Sequence, residues 1–239
     1  MLTQTERELS ISDIAYDVNK KLGYTVYIAE NEQYVPYLVL TSNYNGSALL
    51  LRENILSDAF CIRDVNWEGS GGSYYPGSDV DSYLSGEYLL RFTQFVKETM
   101  AETEIIVTTK RSLQKGGGFE ETEKIKRKAF ILSAAELGIK SGMANTEGNL
   151  LKFFKNAKSL AAVNEKGETQ VYWTRTPYLV DDIKTWTVSY DGSWGSCPTA
   201  LKQMIRPAFC VNRDTIVSKR NDIISKKAVY VLDPVHMNE

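Results

Sequence analysis

Histidine is almost missing: His236 is the single one in 239 residues. A Ser-His-Asp triad, a Cys-His protease and a histidine zinc site all need an imidazole, so this chain has only a near-terminal one to offer them. Cysteine is scarce too. Cys61, Cys197 and Cys210 are widely spaced, odd in number and never paired as CxxC. That argues against a disulfide framework or a structural zinc site and predicts reduced thiols in a protein made in a cytoplasm. Cys197, in GSCPT, has no neighbouring base or cation to raise its thiolate character, so a plain thiol is expected. Neither charge sign dominates: 28 Lys and Arg face 30 Asp and Glu, for a net charge of -2. The basic group Lys124, Lys126, Arg127 and Lys128 is offset by Glu120, Glu121 and Glu123 just before it, so no nucleic-acid partner is expected. No apolar run reaches the roughly 18 residues of a membrane span. The opening MLTQTERELSISD lacks an apolar core, so neither membrane insertion nor a secretory signal is expected. Gly69 to Gly72 does not have the G-x-G-x-x-G spacing of a phosphate loop, and no EF-hand spacing occurs. The expectation is therefore no cofactor, no metal and no catalytic residue.

Aromatic residues are present in force, with 14 Tyr, 8 Phe and 4 Trp. At this density they serve large cores or contact surfaces. An apolar fraction of 43% against 24% charged is that of a folded chain rather than a disordered one.

Along the chain, Ser12 or Asp13 is placed to cap a helix over IAYDVNKKL, with Ile14, Ala15, Val18 and Leu22 on one face. Strands TVYIAE, YVPYLVLTSNY and SALLLRENIL follow, separated by a polar turn at Glu30 to Gln33 and by Asn45-Gly46. Arg52, at the end of LLLRE, is expected in an ion pair or a strand-end contact. Residues 64–79 read as a Gly/Ser loop flanked by Trp67 on one side and Tyr74 and Tyr75 on the other. Asp79 is placed to cap a helix with Val80, Tyr83, Leu84 and Tyr88 inward, and a second helical segment runs from Leu89 to Met100. A polar insertion at 110–123 separates strand EIIVTT from KIKRKAFILS. Ser133 and Glu136 have capping-box spacing. NLLKFF reads as helix, Lys166-Gly167 as a turn, and Asp191-Gly192 as the clearest hairpin. Pro207 predicts an edge or irregular position for strand IRPAFCV. The order is not a βα alternation. It predicts an α+β fold with a twisted, mainly antiparallel sheet, peripheral helices and long loops. Residues 1–22 are set apart as a lead-in helix, 23–212 as the main domain and 213–239 as a C-terminal extension.

Two arginines sit inside apolar runs, Arg175 in WTRTPY and Arg206 in IRPAF. A guanidinium cannot be neutralised, so each needs a partner, such as Glu136 or backbone carbonyls, and a structural role is expected for both. The acidic pairs Asp79/Asp81 and Asp181-Asp182 read as caps and solvated loop residues.

The ordered pattern KAFILSAAELG, EGNLLKFF, YWTRTPY, WTVSYDG and IRPAF resembles a domain family of unannotated function common in phages and prophages of Gram-positive gut bacteria. YVPYLVLTSNYNGSALLLRENIL and SYYPGSDVDSYL extend the resemblance over about residues 24–212. The layout is in turn similar to C-type-lectin-like and formylglycine-generating-enzyme-like domains. Cys197 and Cys210 do not match the cysteine pair of the enzyme branch, and the sugar-binding calcium tripeptides of lectins are absent. What the resemblance implies is a phage virion protein of the tail, baseplate or fibre, assembled in the host bacterial cytoplasm and not an enzyme. It would bind a host-surface glycan or protein through loops 64–79, 110–123 and 180–200. Trp67, Tyr74, Tyr75, Trp186 and Trp194 are the expected contacts. Other virion proteins, and further copies of the chain within the particle, are the expected partners. A purely architectural virion subunit and a carboxylate-dependent glycan hydrolase are the alternatives.

Overall fold

Two-residue turns fold the first half of the chain into a meander. The computed structural model describes residues 8–19, 24–63, 72–115, 119–157, 159–220 and 229–232. Strand β1 (Leu9–Ser10) enters a 3-10 turn at Ile11–Ile14. The expected helix does not continue beyond it through residues 15–19. Instead the Tyr16 N–H donates to the Val39 carbonyl at 2.8 Å, and the Tyr16 ring packs edge-on against Tyr24 and Phe153. Those contacts draw the chain onto the sheet. Residues 20–22 of that expected helix lie outside the described residues.

β2 (Thr25–Glu30) and β3 (Gln33–Tyr44) are joined by Asn31-Glu32, both left-handed at φ 50° and 63°. β3 and β4 (Ser47–Arg52) are joined by Asn45-Gly46 at φ 51° and 89°, the hand that matches strand twist. After β5 (Ala59–Phe60) come helices α1 (Asp79–Ser85), α2 (Glu87–Leu90) and α3 (Gln94–Thr99). Ser78, rather than the expected Asp79, caps α1, its Oγ accepting from Asp81 N–H at 3.2 Å. The expected segment from Leu89 to Met100 breaks into two, because Thr93 Oγ1 caps a fresh start by accepting from Val96 N–H at 3.3 Å. Then follow β6 (Met100–Ala101), β7 (Thr103–Thr108), α4 (Lys110–Lys115), β8 (Thr122–Arg127) and β9 (Ala129–Ile131). In α5 (Ala134–Leu137), Ser133 Oγ accepts from Glu136 N–H at 3.1 Å and Glu136 Oε2 accepts from Ser133 N–H at 2.9 Å. The chain closes with α6 (Lys152–Asn156), β10 (Tyr172–Pro177), β11 (Lys184–Val188), β12 (Trp194–Pro198), β13 (Gln203–Met204), β14 (Pro207–Val211), β15 (Ile216–Arg220) and β16 (Val229–Leu232).

Strand outweighs helix, 40% to 18%, and the fold is α+β with sheet predominating. Among the described residues, nine strands form one sheet in the order β1-β15-β16-β2-β3-β4-β14, with β6 and β9 sharing the far side of β14. A second sheet runs β12-β11-β10-β13-β5, and β7 and β8 form a separate hairpin. Pairing is antiparallel except for β16 with β2 and β10 with β13. Among the described residues, no helix is long and apolar enough to cross a membrane.

Pro207 does not force an edge. β14 is central, paired with β4 on one side and with β9 and β6 on the other, and all five of its residues are buried. Pro207 is the first residue of the strand, a position that tolerates the missing N–H. The segment set apart as a C-terminal extension supplies β15 and β16, which lie between β1 and β2 in the large sheet. Lead-in and extension are thus neighbours within one sheet.

The sheets meet on one buried cation. Arg175, on β10, is fully buried. Its Nε donates to Ile106 O on β7 (3.0 Å), and Nη1 donates to Ile131 O on β9 (2.9 Å) and to Glu136 Oε2 on α5 (2.8 Å). Nη2 donates to Glu136 Oε1 (3.0 Å) and to Glu147 O (3.1 Å). All five guanidinium donors are used. Glu136 Oε1 also accepts from the Tyr44 hydroxyl on β3. A second buried group holds the other end of the core: Glu30 accepts from Tyr37 OH (2.6 Å) and pairs with Arg52 (3.0 Å) and Arg91 (2.9 Å).

Arg175→Lys keeps the charge but loses the planar fork, leaving Glu136 short of partners. The expected cost is about 3 kcal/mol or more, read from the urea unfolding midpoint. A loss below about 1 kcal/mol would remove Arg175 from the centre of the fold.

Candidate functional site

Hydrogen bonds tie together the segments around residues 72–75, 110–123 and 178–200. Ser73 N–H donates to Asp182 O at 2.7 Å, joining the 72–75 loop to the turn before β11. Tyr74 OH donates to Glu123 Oε1 at 2.7 Å, and the Lys110 ammonium lies 4.9 Å from the centre of the Tyr74 ring. Thr199 N–H donates to Ile183 O (2.8 Å), and Ile62 N–H donates to Thr199 O (3.1 Å). The described parts of the three loops selected from the sequence therefore meet. A fourth loop, between α5 and α6, joins them: Leu179 N–H donates to Met143 O at 3.0 Å and Tyr178 OH to Met143 Sδ at 2.9 Å.

The aromatic candidates separate by burial. Tyr75 is 1% exposed and belongs to the core, so it cannot touch a ligand from outside. Its neighbour Tyr74 is half-buried and its hydroxyl is engaged. Trp67 lies outside the described residues. Trp186 is 5% exposed and Trp194 is 44% exposed. Tyr178, Trp186 and Trp194 form a ladder of edge-to-face rings with centroids 5.2 Å apart at each step. The ladder arises from strand register. Trp186 pairs with Ser196 and Val188 with Trp194, so alternate residues of β11 and β12 share one face. β12 is an edge strand and leaves its Trp194 uncovered. Among the described residues the buried Trp186 Nε1 has no hydrogen-bond partner. Val180 and Ile183, in the turn before β11, are exposed apolar residues. Sequence reasoning missed Tyr178 and the Met143 loop. The clustered Gly138, Gly142 and Gly148 around polar residues were the available signal for that loop.

The other reactive side chains are occupied. Cys61 Sγ donates to Ala200 O, Cys197 Sγ accepts from Gln203 Nε2, and burial pushes the Cys210 thiol up to about 12. Asp81 holds Arg127 at 2.7 Å, Asp79 faces Arg63 and Asp181 faces Lys184. Among the described residues no group of three His, Cys, Asp or Glu side chains is arranged to hold a metal. Among the described residues, Arg206 meets no carboxylate at hydrogen-bond distance. Its Nε donates to Arg52 O at 2.9 Å and it bonds the Tyr172 hydroxyl, while burial lowers its pKa.

Fold and site together define a mostly-sheet α+β domain with an aromatic ladder on the edge of its smaller sheet. The chain belongs to the family described as Domain of unknown function (DUF6273), whose model matches residues 45–213. No curated protein and no solved structure matches it.

Glu147 lies beneath the fourth loop, fully buried. Its Oε1 accepts from Thr108 N–H and Oγ1, both at 2.7 Å, and its Oε2 bonds Thr176 Oγ1 at 2.6 Å. Burial pushes its carboxyl up to about 7, against the opposing pull of Arg175 and the threonine donors. The unfolded chain loses this proton near 4.5 and the folded chain near 7. The stabilisation is therefore complete below the first value and declines as pH rises towards the second, by about 3 kcal/mol. Glu147→Gln is expected to flatten that dependence in urea melts taken across this range. An unchanged slope would mean that other groups carry it.

Proposed function

We propose that the chain is a binding component of a phage particle or phage-derived tail. In this reading its domain is lectin-like and its loop end docks on a host-surface glycan. The Tyr178–Trp186–Trp194 ladder carries the reading. Trp194, 44% exposed, offers apolar area to a sugar ring; it packs edge-to-face on Trp186, which Tyr178 in turn supports. Large, stiff aromatic side chains give contact area at small entropic cost, and loops on a rigid sheet are the usual place for such contacts. The sequence pattern supports the particle assignment. Further copies of the chain and other virion proteins would assemble around it, and no catalytic step is assigned.

A purely architectural virion subunit is the second reading. It is favoured by the exposed Val180 and Leu201, which suit a protein contact. A glycan array and a host-cell binding assay, run on the wild-type chain and on Trp194→Ala, separate the two. The glycan reading expects at least a tenfold loss of affinity in the variant with an unchanged thermal melt, since an exposed Trp is not needed for folding. Equal binding by both proteins would remove Trp194 from the site. Particle incorporation without glycan or cell binding by the wild type would favour the architectural subunit.

A further inference from the structure

Among the described residues, nothing pairs with the outer side of β12, the last strand of the smaller sheet. An open edge is a row of unpaired N–H and C=O groups, and proteins ordinarily guard it by keeping it short or by placing charge on it. The other outer strands follow that rule. β1, β5 and β6 are two residues long and β9 is three. In the separate hairpin, β7 gives the Ile106 carbonyl to Arg175, and β8 carries Glu123, Lys124, Lys126 and Arg127. β12 is five residues long, reads Trp-Gly-Ser-Cys-Pro and has no charge.

The register shows which backbone groups of β12 are free. Thr199 N–H donates to Ile183 O at 2.8 Å and Ser189 N–H to Ser193 O at 2.7 Å, so the hydrogen-bonded pairs of this ladder are the odd-numbered ones. In an antiparallel pair such positions alternate with ones whose backbone groups point away. Gly195 and Cys197 therefore turn their N–H and C=O towards β11, while Trp194, Ser196 and Pro198 turn theirs outwards. The side chains of those three residues share one face, and all three residues are exposed. Pro198 has no N–H. Its carbonyl accepts from Leu201 N–H at 3.0 Å and keeps a second lone pair.

We propose that two copies of this chain pair through β12, antiparallel and centred on Ser196, so that their smaller sheets become one. The edge is complementary to itself in this register. A two-fold axis through Ser196 sets Ser196 against Ser196 of the second copy and Trp194 against Pro198 of the second copy. The two serines exchange N–H···O bonds and each Trp194 N–H reaches the opposing Pro198 carbonyl, about four bonds in all. The donor that proline lacks falls at the two ends of the pairing, next to water. The Trp194 and Pro198 rings meet across the strands as an apolar pair. An axis normal to the sheet keeps both aromatic ladders on the same face. The pairing goes beyond the glycan reading and does not rest on what Trp194 binds.

The test is sedimentation equilibrium of the full chain, with amide hydrogen exchange read at Trp194 and Ser196 and no glycan present. The wild type is expected to form dimers with a dissociation constant of about 100 μM, the weak end for a short strand pairing. Protection of both amides should rise with protein concentration. Ser196→Pro removes an N–H that the β11 ladder does not use, so it should leave the chain monomeric with a near wild-type melting temperature. Ser196→Lys and Ser196→Glu each place like charges on the axis and should each weaken association at least threefold, while an equimolar mixture of the two restores it. A wild type that stays monomeric at about 1 mM, or Ser196→Pro that associates as the wild type does, would overturn the β12 interface. A Lys/Glu mixture that associates no better than either variant alone would overturn the antiparallel register centred on Ser196. Ser196→Pro keeps Trp194, so glycan binding and self-association fail or succeed independently.

Discussion

A single guanidinium, that of Arg175, ties strands of three different sheets together at fixed distances. Strands β7, β9 and β10 belong to three different sheets, and none of them pairs with another of the three. Each either carries Arg175 or gives it a carbonyl, and Glu136 adds a bidentate carboxylate from α5. Burying such a pair yields little net stability compared with an apolar substitute of the same shape. What it provides is specificity. Five directional donors are met only when β7, β9, α5 and the loop carbonyl of Glu147 all stand in their native places. Sheet packing by apolar contact alone tolerates sliding, whereas this network does not.

That constraint reaches the surface. Glu136 is bonded to Tyr44 on the large sheet and lies against Gly148 in the loop between α5 and α6. Met143, in the same loop, is bonded to Tyr178, the first rung of the aromatic ladder. From the charged centre to the exposed Trp194 there is a continuous series of packed or bonded groups. The aromatic ladder is therefore carried on a braced support, which limits the ordering cost that a binding face meets when it engages a partner.

Much of this was legible where local chemistry dictates geometry. The Asn45-Gly46 turn, the Asp191-Gly192 hairpin and the Ser133/Glu136 capping box each depend on a few adjacent residues, and each is present. Arg175 declared its need for a partner because no protein interior accepts a lone guanidinium. What the residues did not reveal was long-range. Tyr74 and Tyr75 are adjacent and chemically alike, yet one reaches Glu123 and the other is sealed in the core, a difference set by packing from other elements. Pro207 suggested an edge because its missing N–H weakens a ladder, but its place as first residue of β14 removes the objection.

The position of β16 fixes an order of events during synthesis. Among the described residues β1 pairs only with β15, β15 pairs with β16, and β16 lies parallel to β2. β1 thus has no partner of this sheet until more than two hundred further residues have been made. Non-local pairing of this kind slows folding and prolongs exposure of a free sheet edge. The exposed edge in that interval is β2, whose Val26 and Ile28 are fully buried in the finished protein. A chain released before residue 229 would carry that edge permanently, and self-association through β2 is the form its misfolding would take.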